Sequence, residues 1–392
     1  VKISFCCQTY NRLWQLRRTL PRNLKILAGT GHELIILDCG STDGTVEFVR
    51  RHSGFLYVER PLIPYHIPRA KNIAHSMSTG GYVFNLDADN FITRELLAFI
   101  EQHPDTTVHD WSGAYRDGSY GRIGATIDLF RAIGGYDERL LGAGTHDGLF
   151  LQRSVLLGSP ILNPRTVGAA MPILNTKADT ITHLGYARSF EEMVADNRAI
   201  VANLPVFLPN ARVDLSAGIV GGESGAAFRI PAYPYRKSVT LRYWFMFDGD
   251  FEFAAGGKLP GLGAGGCPTG GRPAGGWSAR VMWRHDNLEL YVYPGRSQNG
   301  RFGISIPFGR KAPPGAWHEI RLEYSAGRVA ATFEGVTVGC PVDDVPCSTV
   351  LFHVFRGGSS ADYAADRGSS VWISNSEPDT ATQFPCVTSW KH

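Results

Sequence analysis

Asn85-Leu86-Asp87-Ala88-Asp89-Asn90 closes an apolar run, Tyr82-Val83-Phe84, that follows the turn Gly80-Gly81. A short apolar run after a turn reads as a buried strand. Two carboxylates separated by one residue at the end of such a strand can meet a single divalent cation. Oxygen ligands suit Mg²⁺ or Mn²⁺, and the metal can hold phosphate oxygens in turn. A solvated acidic loop has the same residues, so the flanking segments decide between the two.

Upstream, residues 1–7 form a β-branched and apolar strand, and Gln8-Thr9-Tyr10-Asn11 is its exit loop. Leu13, Leu16, Leu20, Leu24 and Leu27 recur at helical spacing over residues 12–28, with Pro21 expected to kink or break the helix. A second strand over 33–37 ends at Asp38-Cys39-Gly40-Ser41-Thr42-Asp43-Gly44, and a short helix starts at Thr45. A third strand is expected near 55–58, a Pro-rich loop over 61–68, and a helix over 69–77. Strands alternating with helices predict a mostly parallel sheet covered on both faces. Ligands gather beyond the carboxyl ends of such strands. Thr9-Tyr10, Asp38 and Asp87/Asp89 all fall there, so three polar clusters converge on one rim.

The chain of 392 residues is long enough for two or three cores, and its 43% hydrophobic content is that of a globular protein. A net charge of +3 gives no reason to expect a nucleic-acid partner. No run of about 18 apolar residues is present to span a membrane. The chain enters a strand at Val1 without the charged and apolar regions of a signal peptide. Seven cysteines form no Cys-x-x-Cys pair, which disfavours zinc. Cys6 and Cys7 read as buried thiols, Cys340 and Cys347 could bridge a short loop, and the odd count points to a reducing, cytoplasmic setting.

Gln8-Thr9-Tyr10-Asn11-Arg12, Asp38 to Thr45, Arg69-Ala70-Lys71-Asn72 and Asp87-Ala88-Asp89 together resemble the family 2 glycosyltransferases of the GT-A fold, over roughly the first half of the chain. The resemblance implies an inverting hexosyl transfer from a nucleotide-diphosphate sugar with Mn²⁺ or Mg²⁺. It places Thr9 and Tyr10 at the nucleobase pocket, Asn11 among the donor-binding residues, Asp38 on the base or ribose, and Lys71 near the nucleotide. Asp89 becomes the main metal ligand, with Asp87 near ribose and metal. Cys39 stands where the family often has a second acid.

Gly134-Gly135-Tyr136-Asp137-Glu138 and Gly142-Ala143-Gly144-Thr145-His146-Asp147 resemble the acceptor motif of the galactosyltransferase-like members. Inversion needs a base for the acceptor hydroxyl. By the resemblance Asp147 is that base, with Gly144 and His146 beside the acceptor; a cap on the helix expected over 148–157 is the structural reading of the same carboxylate. His146 stands in place of a usual Glu, and Ala143 in place of a usual Trp. His183, in Asp179-Thr180-Ile181-Thr182-His183-Leu184-Gly185-Tyr186, lies where the family often has a third metal ligand. Ser189-Phe190-Glu191-Glu192 has a capping-box pattern opening a helix to about Asn203.

Beyond Pro209 strand-like alternations separated by turns predict an antiparallel sandwich or jelly roll, with the boundary near 205–225. Gly256-Gly257-Lys258-Leu259-Pro260-Gly261-Leu262, Trp277 to Arg284 and Tyr291-Val292-Tyr293 resemble polysaccharide lyase family 14, the alginate- and glucuronan-lyase-like jelly rolls. That resemblance puts Lys258, Ser278, Arg280, Tyr291 and Tyr293 on a concave face that receives an acidic glycan, presenting exposed aromatics and cations. A solvated sheet face, and a flexible loop over 256–276, are the plain readings of the same residues.

The expected architecture is a Rossmann-like α/β GT-A domain at 1–210 followed by an all-β jelly roll at 220–392. The expected function is metal-dependent transfer from a UDP-sugar to an oligo- or polysaccharide held by the jelly roll. A bifunctional transferase and lyase, and a glycan-binding protein with an inactive transferase site, are the alternatives.

Overall fold

The apolar alternation at the amino terminus decides the first layer. In β1 (Ile3–Thr9) Ile3, Phe5 and Cys7 join one buried cluster while Cys6 joins another, so the strand is covered on both faces. The computed structural model describes residues 1–62, 64–112, 118–164, 173, 188–269, 275–295, 302–357, 360–378, 382 and 384–386. The chain folds as two units, Val1–Leu204 and Pro205–His392.

The first unit runs β1, α1 (Leu13–Leu27), β2 (Glu33–Asp38), α2 (Thr45–Val49), β3 (Leu56–Glu59), α3 (Ile67–Ser76), β4 (Tyr82–Asn85), α4 (Arg94–Gln102), β5 (Thr107–His109), β6 (Ile123–Thr126), α5 (Ile127–Ile133), α6 (His146–Leu156), β7 (Ile161–Leu162) and α7 (Phe190–Asn203). Its seven-stranded sheet has the order β3-β2-β1-β4-β6-β5-β7. The β1, β2, β3 and β4 strands are parallel, and β6 runs antiparallel to β4 and β5. Thr9, Asp38 and the Asp87 loop therefore lie at the same end of the sheet.

Pro21 sits inside α1 without ending it. Leu16, Leu20 and Leu27 bury against the sheet, and this packing outweighs one missing backbone hydrogen bond. Helix α3 starts before the expected residue 69. His66 caps it by accepting from Arg69 N at 3.2 Å, and Pro68 occupies the first turn, where its missing N–H is no loss. The capping box at Ser189 and Glu192 is present at the start of α7.

The second unit holds β8 (Ala211–Leu215), β9 (Ala226–Arg236), β10 (Ser238–Phe247), β11 (Gly257–Gly263), β12 (Ser278–Arg284), β13 (Asn287–Tyr293), β14 (Ile304–Lys311), β15 (His318–Ser325), β16 (Arg328–Phe333), β17 (Val336–Pro341), β18 (Cys347–Arg356) and β19 (Ser369–Ser374). Two six-stranded antiparallel sheets, β17-β16-β15-β10-β19-β8 and β14-β13-β12-β11-β18-β9, make an all-β sandwich. Leu241, Tyr243 and Phe245 of β10, Val281 and Trp283 of β12, and Leu290 and Val292 of β13 are buried. Strand β11 corrects the reading of residues 256–276 as a loop: residues 257–263 are a strand between β12 and β18. Its glycines let neighbours close in, because a Cβ on Gly261 would lie 2.1 Å from the Ala279 carbonyl oxygen. The cysteines are all free thiols, so Cys340 and Cys347 are not bridged.

Candidate active site

Hydrogen bonds from below and beside fix the Asp87 loop. Gln8 Nε2 and Asn85 Nδ2 donate to Asp87 Oδ1 at 3.0 and 3.1 Å, and Asn85 Nδ2 also reaches the Gly121 carbonyl at 2.8 Å. From α1, Thr19 Oγ1 donates to the Ala88 carbonyl and Asn23 Nδ2 to that of Asn90. Arg122, fully buried, pairs with Asp110 and donates to Asn90 Oδ1 and the Phe91 carbonyl. Asp89 Oδ1 accepts from Asn90 Nδ2 at 2.6 Å, and both Asp87 and Asp89 stay partly exposed.

With Oδ1 held, Asp87 turns Oδ2 towards Gly121. A Cβ on Gly121 would lie 2.7 Å from Asp87 Oδ2 and 3.6 Å from Asp147 Oδ2. Two carboxylates from distant segments thus face one cradle, kept open by a missing side chain.

Asp147 is engaged at both oxygens. Lys71 Nζ lies 2.6 Å from Oδ1, and His146 Nε2 lies 3.2 Å from Oδ2. Burial works to raise the Asp147 pKa, but the His146 and Lys71 charges and hydrogen bonds hold it well below the usual carboxylate range. His146 Nδ1 lies 3.2 Å from the Gly144 carbonyl, which also accepts from Asn197 of α7. Next to Lys71, Asn72 bonds the backbone N–H and C=O of Tyr136, tying α3 to the loop after α5.

At the far side of the rim, Asp38 Oδ1 accepts from the Gly40 and Ser41 backbone N–H groups at 3.0 and 2.9 Å. Asp38 Oδ2 and Thr9 Oγ1 are buried with no partner among the described residues. Tyr10 stacks on Tyr65 with ring centroids 5.4 Å apart. Asn11 Oδ1 accepts from Thr42 N at 2.7 Å, so that side chain ties two loops together.

In the second unit, one face of the β11-β12-β13 region collects cations. Lys258 pairs in register with Met282, Arg280 with Tyr291, and Ser278 with Tyr293. Arg280 donates to Thr269 Oγ1 at 2.9 Å and to Ser278 Oγ at 3.1 Å. Burial, then the Arg280 charge, pushes the Lys258 amine down to about 7. His353 of β18 is held well below its ordinary range by burial and by Arg280, Lys258 and Arg229. Arg284 pairs with Glu289, whereas among the described residues no carboxylate pairs with Lys258 or Arg280.

Residues 4–156 match the family described as Glycosyl transferase family 2, and residues 220–307 match Polysaccharide lyase 14. The chain carries a glycosyltransferase domain and a polysaccharide lyase 14 domain. No curated protein matches it. Among solved structures, alginate lyase Aly36B is 21% identical, covering 46% of this chain and 88% of its own, with a TM-score of 0.39. The marine PL-14 alginate lyase from Aplysia kurodai is 22% identical over 43% of this chain and 81% of its own, with a TM-score of 0.36. S. aureus TarS 1-349 in complex with UDP-GlcNAc is 17% identical over 53% of this chain and 68% of its own, with a TM-score of 0.40.

In the glycosyltransferase domain, Asp87, Lys71, His146 and Asp147 come together around the Gly121 cradle, while Thr9, Tyr10 and Asp38 sit at the strand ends on the same rim. Lys71 reaches Asp147, and Asn11 is used between loops. Asp147 is not a helix cap: Thr145 holds that position, and Asp147 lies in the first turn of α6. His183 lies outside the described residues. In the lyase domain, the aromatics and cations expected to be exposed are instead recessed. Arg280 and Ser278 are fully buried, and Tyr291 and Tyr293 are 8% and 3% exposed. Sequence reasoning missed Gly121, Arg122, Asn23 and His353. Each does its work through a contact between segments far apart in the chain, and no local motif marks it.

Among the described residues no group of three His, Cys, Asp or Glu side chains is placed to hold a metal. No described helix is long and apolar enough to cross a membrane.

Proposed function

We propose that the first domain transfers a hexosyl group from a UDP-sugar to a glycan hydroxyl with inversion, using Asp147 as base. The observation that carries this reading is the Gly121 cradle, which Asp87 and Asp147 face together. Asp38 Oδ2 and Thr9 Oγ1, buried and without a partner among the described residues, supply acceptor groups for a uridine, whose one base N–H, at N3, would satisfy one of them and a ribose hydroxyl the other, and Tyr10 supplies an aromatic face. Asp87 and Asp89 are an all-oxygen pair that suits Mn²⁺ or Mg²⁺ completed by phosphate oxygens. When bound, that metal supplies positive charge to the diphosphate leaving group. Lys71 keeps Asp147 ionised through Oδ1, and His146 stands beside Oδ2.

The test is a thermal-shift panel of UDP-, GDP- and dTDP-sugars with and without Mn²⁺. A UDP-sugar with Mn²⁺ should stabilise the protein by about 2.7 kcal/mol at a hundredfold excess over its dissociation constant. Equal response to all nucleotides, or no response to metal, would overturn the donor assignment.

We further propose that the second domain holds an acidic glycan on the recessed face around Lys258 and Arg280, whose unpaired charges would meet uronate carboxylates. One observation favours cleavage there as a second reading. A Lys258 amine lowered to about 7 is poised to move protons near neutrality, whereas Tyr291 is pushed up to about 12 by burial and then by Tyr293. Incubation with alginate or glucuronan decides: an ultraviolet-absorbing unsaturated product means cleavage, and binding without product means a holding domain.

A further inference from the structure

We propose that His146 stores the proton that Asp147 takes from the acceptor hydroxyl, so that the base of this enzyme is a carboxylate–imidazole pair. This rests on the transferase reading above, because it requires Asp147 to meet the acceptor. His146 acts through Asp147 and is in that sense a positioning residue.

The geometry around the ring carries the inference. His146 Nε2 faces Asp147 Oδ2 at 3.2 Å, and Nδ1 faces the Gly144 carbonyl at 3.2 Å. An ionised carboxylate and a carbonyl only accept hydrogen bonds, so both contacts are complete only when both ring nitrogens carry a proton. The side chains are therefore arranged for the protonated pair. In the neutral ring the Gly144 carbonyl keeps the proton on Nδ1 and leaves the Nε2 lone pair beside Asp147 Oδ2. That is the form able to receive a proton.

Asp147 alone is a poor place to leave one. Lys71 on Oδ1 stabilises the anion, so a protonated Asp147 gives its proton up readily, and Nε2 is the adjacent acceptor. As the acceptor oxygen bonds to the anomeric carbon, its O–H bond breaks and the proton passes by Asp147 Oδ2 to Nε2. The bond from that carbon to the phosphate oxygen breaks with its electron pair, which leaves on the diphosphate. The imidazolium then loses its proton to water. The groups facing the pair are Lys71 from α3, Tyr136 at a ring distance of 6.2 Å, and Asn197 from α7. Burial raises Tyr136, and it lowers His109, which also feels Asp147, so these two stay uncharged near neutrality.

The experiment is nitrogen-15 NMR of the histidine rings in the full chain, with the His146 ring assigned in the wild-type protein by through-bond correlation to its own backbone amide. Above its titration the His146 ring should carry its proton on Nδ1, and below it on both nitrogens. A neutral ring protonated on Nε2 would overturn the proposal even if every variant failed to fold. For folded variants, the Mn²⁺-dependent rate on the UDP-sugar that stabilises the protein is followed against pH. Wild type should lose rate as pH falls through imidazole protonation. His146→Gln should lose that limb and run about 10²-fold slower at pH 7. An unchanged limb in His146→Gln overturns the proposal while leaving Asp147 as base. A normal rate in Asp147→Asn instead overturns the reading on which it rests.

Discussion

Lys71 Nζ and Asp147 Oδ1 stand 2.6 Å apart across 76 residues of sequence, and the lysine is almost wholly buried. The pair joins α3 to the first turn of α6. It makes Asp147 a structural partner as well as a chemical one, which bears on how a substitution there should be read.

Asp147→Asn should lower transfer by about 10²–10⁴-fold, the contribution of a positioned base. Donor affinity should stay near wild type. Because the substitution leaves the buried Lys71 ammonium without its counter-charge, stability should also fall, by about 3–5 kcal/mol. A helix cap would have predicted almost no loss, since asparagine caps as well as aspartate. Rate, donor dissociation constant and urea midpoint measured on one preparation separate these effects.

Gly121→Ala should keep the fold and damage the site. The new methyl would press on Asp87 Oδ2, which Gln8 and Asn85 prevent from swinging away. Metal-dependent UDP binding should weaken at least about tenfold, equal to about 1.4 kcal/mol, as measured by calorimetry. Unaltered binding would mean that metal and nucleotide do not use the cradle.

The reach of the sequence can be seen in these two residues. Asp147 stands in a string of glycines and acids whose order resembles a known family, so it was legible. Gly121 has no such context, because its importance lies in what approaches it from β4 and α6. The same holds across the fold. Strands with apolar alternation, such as β10 and β13, showed themselves, whereas the three glycines and one proline of β11 interrupt any alternation and left a loop as its plain reading. Its strand state comes from pairing with β12 and β18, which outweighs local propensity. The Lys258 face was legible by residue type. Its depth was not, because burial depends on loops and strands that close around it.

Asp137→Asn should destabilise the first domain without touching the chemistry. Asp137 Oδ2 accepts from Arg139 at 2.6 Å and from Arg153 at 2.7 Å, and Arg153 is buried. Removing the carboxylate charge beside that guanidinium should cost about 1–3 kcal/mol by chemical denaturation. Burial works to raise the Asp137 pKa, but the two arginines lower it well beneath its ordinary value. A carboxylate depressed in the folded state contributes stability above its unfolded pKa and loses it as pH falls towards the folded one. Wild type should therefore lose stability as pH drops below about 4, and the variant should lose less over the same range.

Uronate binding to the second domain should weaken as pH rises through about 7, where Lys258 gives up its proton. The sign follows from charge, since the protonated amine attracts a carboxylate and the neutral amine does not. Lys258→Arg keeps the charge at every pH and should remove the dependence. Affinity for alginate oligosaccharides at pH 6 and pH 8, for both proteins, is the measurement.

Strand β11 constrains what this domain can become. A Cβ on Gly257 would fall 2.0 Å from the Trp283 ring, and one on Gly261 would strike the Ala279 carbonyl and the Arg280 backbone. Gly257 and Gly261 therefore admit no side chain, however the glycan changes. Any change in what the face holds then falls to the side chains set between those glycines and their neighbours, at Lys258 and at Met282 and Phe355, which pair with it in register.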